Sequence, residues 1–254
     1  MRVVRNKVAR LAQLLTRGVR YPQYVKDALR ELYTNIAYAE GNVPPVSVEE
    51  FFSGSERRSV CLYDFFPRDG NLGLSDLVFI SNCASLLAPE VVLEIGTFDG
   101  NTALQIAANT PPSTVVYTLD LPDDVQGSAV AKIDPSDAAY IDYEARRKRR
   151  YLDTPYASRI VQKFGNSFEV DFGEVLDGRK ADLVFIDAGH SYECVRNDTE
   201  KALRVLNGGG LIIWDDYTTH WPGVFTYLNE LGDTLPLRHV VGTRLVVYRD
   251  RWGG

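Results

Sequence analysis

Apolar and polar segments alternate regularly along residues 91–214. Short apolar runs typical of buried strands are separated by stretches of helical periodicity and by glycine-containing turns. Such alternation predicts a parallel sheet with helices on both faces. We expect strands over 91–95, 114–119, 159–163, 182–186 and 211–214, with helices over 102–109, 192–206 and 224–231.

The end of the chain predicts a different connection. Residues 237–241 and 243–248 are apolar runs separated by Gly242, a pattern typical of an antiparallel hairpin. With the five preceding strands, the hairpin gives a seven-stranded sheet. We therefore predict an α/β fold with a Rossmann-like, doubly wound, mostly parallel sheet and a C-terminal antiparallel hairpin.

The first 88 residues read as mostly helical, with a loop near 41–45 and a helix over 74–87. We predict an N-terminal helical extension or lid (1–88) and one catalytic domain (89–254) with an insertion at 121–158. From Arg2 to Lys26 the chain carries seven basic residues and no acidic one. An amphipathic helix packing on the core, or on a second subunit in a homo-oligomer, is favoured over docking on an anionic membrane.

Composition narrows the class of protein. Hydrophobic residues make up 45% and charged residues 24% of 254, as in a globular protein with one substantial core. The net charge of -6 disfavours nucleic-acid binding. Neither a membrane-spanning apolar run nor a signal peptide is seen, so we expect a cytoplasmic protein without integral membrane association. The three cysteines form no close pair and suggest neither disulfides nor a zinc site.

The segment 91–100 is the most informative motif, because an apolar strand containing Glu94 leads into a turn with Gly96 and Gly100. An ordinary strand-to-helix turn has the same glycines, but Asp120 ends the next strand, where a carboxylate can accept ribose hydroxyls. The motif lacks the middle glycine that a pyrophosphate site requires. Glu94 adds negative charge, which favours a cationic, adenosine-containing ligand.

Glu94-x-Gly96-x-x-x-Gly100 followed by Asp120 resembles motif I and the strand-two acid of class I S-adenosylmethionine-dependent methyltransferases. Asp187-x-x-His190-Ser191-Tyr192 and Asp215-Asp216-Tyr217 resemble a bacterial small-molecule O-methyltransferase subgroup, and the likeness covers about residues 91–248. The segment at 165–168 resembles one that contacts adenine. The resemblance implies S-adenosylmethionine as cofactor, bound by Glu94, Gly96, Thr97, Gly100, Asp120, Asn166, Ser167 and Asp187.

Acidic residues stand at the carboxyl ends of four predicted strands, where ligands bind in open parallel sheets. Asp187 alone could be a helix N-cap. Asp215 and Asp216, however, are adjacent carboxylates that repel each other unless a cation lies between them. We predict a site for Mg²⁺ or another divalent cation made by Asp187, Asp215 and Asp216.

Similar metal-dependent O-methyltransferases use such a trio to hold two neighbouring substrate hydroxyls. In this reading Asp187 and His190 are catalytic, with His190 as the base, because imidazole titrates near neutral pH. A histidine at a helix start also caps helices or binds substrate, and these interpretations stay open. Ala188 and Gly189 replace the acid found in the commoner Asp-Gly-Asp-His form, which puts any role of that carboxylate in doubt.

The leading hypothesis is methyl transfer from S-adenosylmethionine to a hydroxyl of a small molecule, such as a sugar, glycan or natural-product intermediate, with help from a metal. One alternative is a metal-independent methyltransferase with His190 as base. Another is a non-catalytic cofactor-binding or assembly protein. A dinucleotide oxidoreductase is least favoured, because the glycine pattern differs. The basic cluster 146–150 is either a substrate-recognition element or a charged helix face.

Overall fold

The structure is a computed structural model that describes residues 41–56, 58–65, 70–122 and 148–249. The basic N-terminal segment and the oligomer contact predicted for it lie outside these residues. So does most of the insertion, including Arg146 and Arg147. The division into an extension (1–88) and a catalytic domain (89–254) stays a prediction.

One mixed sheet of eight strands runs through the described residues, in the order β1-β7-β8-β6-β5-β2-β3-β4. All neighbouring pairs are parallel except those of β8, which is antiparallel to both β6 and β7. The strands are β1 (Pro45–Val46), β2 (Val91–Ile95), β3 (Val115–Asp120), β4 (Ile160–Phe164), β5 (Ala181–Ile186), β6 (Leu206–Trp214), β7 (Arg238–Val240) and β8 (Val246–Arg249).

The predicted fold class is confirmed, with one addition. The two-residue strand β1 pairs with β7 at the edge of the sheet, so the sheet has eight strands instead of seven. A strand this short leaves no alternating pattern to detect. It begins with Pro45, which has no N–H to donate and is tolerated at a sheet edge.

Helices connect the strands. In the described residues they are α1 (Val48–Phe51), α2 (Leu74–Leu87), α3 (Asn101–Ala108), α4 (Phe172–Val175), α5 (Tyr192–Val205) and α6 (Pro222–Gly232). The ranges predicted for α2 and β2 match, and the other predicted helices and parallel strands lie within one or two residues of their observed bounds, apart from the start of β6.

The described residues between α1 and α2 form turns and irregular backbone where the sequence reading expected mostly helix. Side-chain amides of α3 explain this. Gln105 accepts from the Tyr63 amide and donates to the Tyr63 carbonyl, at 2.8 and 2.9 Å. Asn109 binds Cys61 in the same two-way manner, at 2.8 Å each. The backbone of this segment thus obtains hydrogen bonds from α3 and does not need its own helix.

The sheet buries both faces. Alternate residues of the central strands, such as Val92, Leu183 and Ile213, join α2 and α3 in one apolar cluster. Trp214, on the opposite face, is buried and donates its indole N–H to Thr199 of α5 at 2.8 Å. Layers on both faces leave the two ends of the strands as the places where a ligand can enter.

The turn after β2 comes very close to the turn after β5. Gly96 has φ +95°, and a Cβ on it would lie 1.8 Å from the Asp187 carbonyl oxygen. Only glycine allows both this backbone conformation and this contact. The motif glycine is therefore required for the packing of these two turns.

We expect Gly96→Ala to lower the free energy of unfolding by about 3 kcal/mol or more, because backbone strain and steric overlap add. Gly178→Ala is the matched control. Gly178 has φ +80° but open space around its Cβ position, so its substitution should cost only about 1 kcal/mol of strain. Urea unfolding of the two variants measures the difference. Equal losses would contradict the close-contact argument.

Candidate functional site

The turns that follow the central strands form one row at the carboxyl edge of the sheet. The parallel pairing continues past the strand ends, because the amide of Gly96 donates to Leu119 at 2.9 Å and that of Asp187 to Ile95 at 2.9 Å. Asp215 donates to the Ile186 carbonyl at 3.1 Å. The predicted acids at the carboxyl ends of β2, β3, β5 and β6 are therefore brought to one edge of the sheet, as expected for this fold.

Glu94 lies at the bottom of this row and is fully buried. Its Oε2 accepts a hydrogen bond from Thr118, whose hydroxyl lies 2.6 Å from that of Thr97. Oε1 is buried and has no hydrogen-bond partner among the described residues. Burial raises the pKa of Glu94 to about 8. A buried carboxyl with an unused oxygen fits a site that receives a positively charged ligand.

Asp120 lies beside the Gly96 turn. Its Oδ2 accepts from the Phe98 amide at 3.1 Å and its Oδ1 from the Leu121 amide at 2.7 Å. The Arg149 guanidinium is 3.9 Å away. Asp120 thus stabilises the Gly96 turn through its hydrogen bond with the Phe98 amide. Its contact with ribose hydroxyls stays a prediction.

A segment that the motif analysis did not assign to the site lies on the same turn. A Cβ on Gly100 would lie 2.6 Å from the Tyr151 ring, and the Arg150 amide donates to the Asp99 carbonyl at 2.8 Å. The Tyr151 hydroxyl and the Arg149 guanidinium both donate to Gln162 Oε1. Two arginines of the basic cluster 146–150, Arg149 and Arg150, therefore contact the Gly96 turn (96–100). Only their unusual density of charge marked them in the sequence.

Asn166 and Ser167 begin the turn after β4, at the same edge. The Asn166 side chain accepts from the Phe168 amide at 3.1 Å. Lys201 of α5 donates to the carbonyls of Ser167, Phe168 and Val170, at 2.6, 3.1 and 2.8 Å. These bonds fix the turn, while the contact of Asn166 and Ser167 with adenine is not tested.

The turns after β5 and β6 form an acidic cluster with a histidine. His190 Nε2 lies 2.7 Å from Asp216 Oδ2, and the His190 ring stacks on Trp221 with centroids 3.7 Å apart. Gly223 permits this packing, because a Cβ there would lie 2.4 Å from the His190 carbonyl oxygen. The predicted residues Asp187, His190 and Asp216 each offer an atom within 4.8 Å of the others.

Arg244, which the sequence reading missed, supplies positive charge to this cluster. Its Nη2 lies 2.7 Å from Asp215 Oδ2 and its Nη1 lies 2.9 Å from Asp216 Oδ1. Its backbone amide donates to Asp76 at the start of α2, at 3.1 Å. One signal in the sequence could have revealed Arg244. Asp215 and Asp216 require a cation, and the predicted C-terminal hairpin places an arginine next to the end of the strand that precedes them.

The four carboxylates differ in how they bear their charge. Burial raises the pKa of Asp215 well above its ordinary value, and burial together with the Asp216 charge raises the pKa of Asp187 to about 7. Burial also raises the pKa of Asp76. Burial alone would raise the pKa of Asp216 too, but the hydrogen bond with His190 and the Arg244 charge hold it below its ordinary value. Asp216 is thus the stable anion of the group.

The predicted metal trio of Asp187, Asp215 and Asp216 does not fit a divalent ion in this structure. Asp215 is paired with Arg244, and the group with atoms close enough for a shared ion contains His190 in its place. The position between Asp215 and Asp216 is taken by a guanidinium.

Known proteins resemble this chain in one sequence segment and in the fold. Residues 93–217 match a family model described as a methyltransferase domain. The O-methyltransferase NovP has a TM-score of 0.52 at 18% identity, covering 70% of this chain and 80% of that one. TomG from Streptomyces achromogenes, solved with S-adenosylmethionine, has a TM-score of 0.50 at 18% identity, covering 71% and 82%. No curated protein sequence matches this chain.

The matched segment and the fold together identify a methyltransferase domain with a Rossmann-like sheet in this chain. The prediction of a methyltransferase is confirmed by this match. Within the part of the chain that the structure describes, every helix is too short or too polar to cross a lipid bilayer.

We expect Glu94→Gln to change how stability depends on pH. Between its ordinary pKa of 4.5 and about 8, Glu94 keeps a proton in the folded state that the unfolded chain has released. The free energy of unfolding of the wild-type protein therefore falls by about 1 kcal/mol per pH unit as pH rises through this window. A glutamine side chain does not titrate, so the variant should not show this contribution.

Urea unfolding between about pH 5 and about pH 9 measures the difference between the two proteins, which should level off above pH 8 or so. The comparison cancels the titration of acids that do not interact with Glu94. Parallel stability curves for the two proteins would show that Glu94 is ionised in the folded state throughout.

Proposed function

We propose that this enzyme transfers a methyl group from S-adenosylmethionine to a hydroxyl of a small molecule, with His190 as the proton acceptor. The observation that carries the proposal is the pair formed by His190 and Asp216, with 2.7 Å between Nε2 and Oδ2. The pair lies at the same edge of the sheet as Glu94 near the end of β2. A histidine oriented by a buried carboxylate is an arrangement suited to general-base catalysis.

The cofactor would lie along the Gly96 turn. We assign its binding to Glu94, Gly96, Thr97, Gly100, Asp120, Asn166, Ser167 and Asp187, and the unused buried oxygen of Glu94 supports a cationic ligand there. When bound, S-adenosylmethionine would supply the methyl group to the acceptor oxygen and would keep the electron pair of the broken C–S bond, becoming S-adenosylhomocysteine.

His190 then receives the proton of the acceptor hydroxyl. An ionised Asp216 can only accept a hydrogen bond, so we assign the donor role to Nε2–H of His190. In this tautomer Nδ1 carries the lone pair and is the nitrogen proposed to take the proton. Asp216 stabilises the resulting imidazolium because it stays ionised. Trp221 fixes the plane of the ring by stacking on it.

The acceptor class is inferred from the loop after Asp216. Thr218, Thr219, His220 and Trp221 offer hydroxyl groups and aromatic faces, which suit a sugar, a glycan or a natural-product intermediate. TomG, which shares the fold, is an O-methyltransferase involved in tomaymycin synthesis. An acceptor panel should therefore include sugars, phenols and polyketide alcohols.

We expect His190→Gln to lower kcat for methyl transfer by about 10²- to 10⁴-fold, because the proton acceptor is lost. Binding of S-adenosylhomocysteine, measured by isothermal titration, should change by less than about threefold, since the cofactor turn is intact.

The matched control is Tyr192→Phe. The Tyr192 hydroxyl bonds Glu230 of α6 at 2.6 Å, so its removal should leave kcat near the wild-type value. A His190→Gln enzyme with wild-type kcat would contradict the assigned role. Absence of S-adenosylhomocysteine binding to the wild-type protein would overturn the proposed function as a whole.

A metal-assisted reaction is the second candidate, favoured by the proximity of Asp187, His190 and Asp216. We expect turnover to persist after EDTA treatment and gel filtration, because Arg244 already supplies positive charge to the acidic cluster. Loss of activity with EDTA, and its recovery with Mg²⁺ or Mn²⁺, would favour the metal-assisted version.

A further inference from the structure

We propose that Arg244 is the built-in cation of the Asp215–Asp216 pair and that it excludes divalent metal ions from this pair. One guanidinium contacts both carboxylates, through Nη2 to Asp215 at 2.7 Å and through Nη1 to Asp216 at 2.9 Å. A planar guanidinium with two donor atoms is suited to bridging two carboxylates in this way.

The backbone of Arg244 is held in place independently of its charge. Its amide donates to Asp76 Oδ1 at 3.1 Å, and its carbonyl accepts from the Tyr217 amide at 3.0 Å. Tyr217 directly follows the acidic pair, so the hairpin and the turn after β6 are joined beside the guanidinium. The side chain therefore starts from a fixed point close to both carboxylates.

The charges around Arg244 explain why it stays there. Asp215 and Asp216 are buried, and the charges of Asp76 and Asp187 also act on the guanidinium. These carboxylates raise the pKa of Arg244 above its ordinary value. A divalent ion at the same carboxylates would have to displace the guanidinium or lie against its positive charge, and both are unfavourable.

Without the guanidinium, the same residues would resemble a metal site. Asp215 Oδ1 and Asp216 Oδ1 are buried and accept no hydrogen bond from the described residues, although Asp216 Oδ1 is in ion-pair contact with Arg244. Removal of Arg244 would leave Asp215 and Asp216 without their cation, with Asp187 nearby as a third oxygen donor. Hard oxygen ligands of this kind bind Mn²⁺ and Mg²⁺.

The test is a titration of the metal-free protein with MnCl₂. Binding is measured by isothermal titration calorimetry and by the electron paramagnetic resonance signal of free Mn²⁺. We expect the wild-type protein to bind Mn²⁺ at this cluster at least about tenfold more weakly than R244Q does. R244K keeps a positive charge and should behave like wild type. In the double variant R244Q/D215N the gained affinity should be lost.

The matched control is R249Q. Arg249 is the last residue of β8, the strand that follows Arg244, but it bonds the Gly209 carbonyl at 3.2 Å and pairs with Leu211, away from the acidic pair. R249Q should bind no more Mn²⁺ than wild type. If R244Q is unfolded in metal-free buffer, addition of MnCl₂ should restore its circular dichroism.

Three results would overturn the proposal. The first is Mn²⁺ binding to the wild-type protein that is as tight as binding to R244Q and that D215N or D216N abolishes. The second is a folded R244Q with no gain in Mn²⁺ affinity, or an unfolded R244Q that MnCl₂ does not restore. The third is a gain in R249Q equal to that in R244Q. None of these measurements requires methyl transfer, so the proposed function can fail while this inference stands, and the reverse.

Discussion

The burial of negative charge at one edge of a parallel sheet is the constraint on which the rest of the structure depends. Strands that run in the same direction end at the same edge, and here the residues at those ends are acids. Layers on both faces keep water away from them, so each carboxylate must be protonated, hydrogen-bonded or paired with a cation. The turns, the hairpin and the start of α2 are all arranged around this requirement.

The two halves of the site meet the constraint in different ways. At the Gly96 turn, burial raises the pKa of Glu94, and the Thr118 hydroxyl donates a hydrogen bond to its carboxyl group. On the acceptor side, Asp216 stays ionised because Arg244 and His190 are bound to it. The site thus contains one carboxyl that a bound cation would ionise, Glu94, and one that is ionised already, Asp216. This combination suits the proposed methyl transfer, in which the cofactor loses its positive charge and the acceptor releases a proton.

Periodicity and turn chemistry were sufficient to predict most of the fold from the sequence. Helix α2 and strand β2 have the predicted bounds, since apolar runs and flanking glycines are local signals. The strand ends located the acidic residues. Arg244 and Tyr151 could not be found this way, because each meets the site across a long stretch of chain and neither belongs to a periodic pattern or motif. The choice of His190 over Asp215 as the neighbour of Asp187 likewise depends on side-chain packing, which spacing does not encode.

The contact of Gly96 with the Asp187 carbonyl has a mechanical consequence. The turn assigned to the donor and the turn that begins the acceptor half touch through main-chain atoms, with no side chain between them to absorb displacement. Close-packed backbone transmits strain instead of dissipating it. The two turns are therefore expected to shift together. In the proposed reaction, the alignment of methyl donor and acceptor hydroxyl would then follow from main-chain packing and not from a flexible joint.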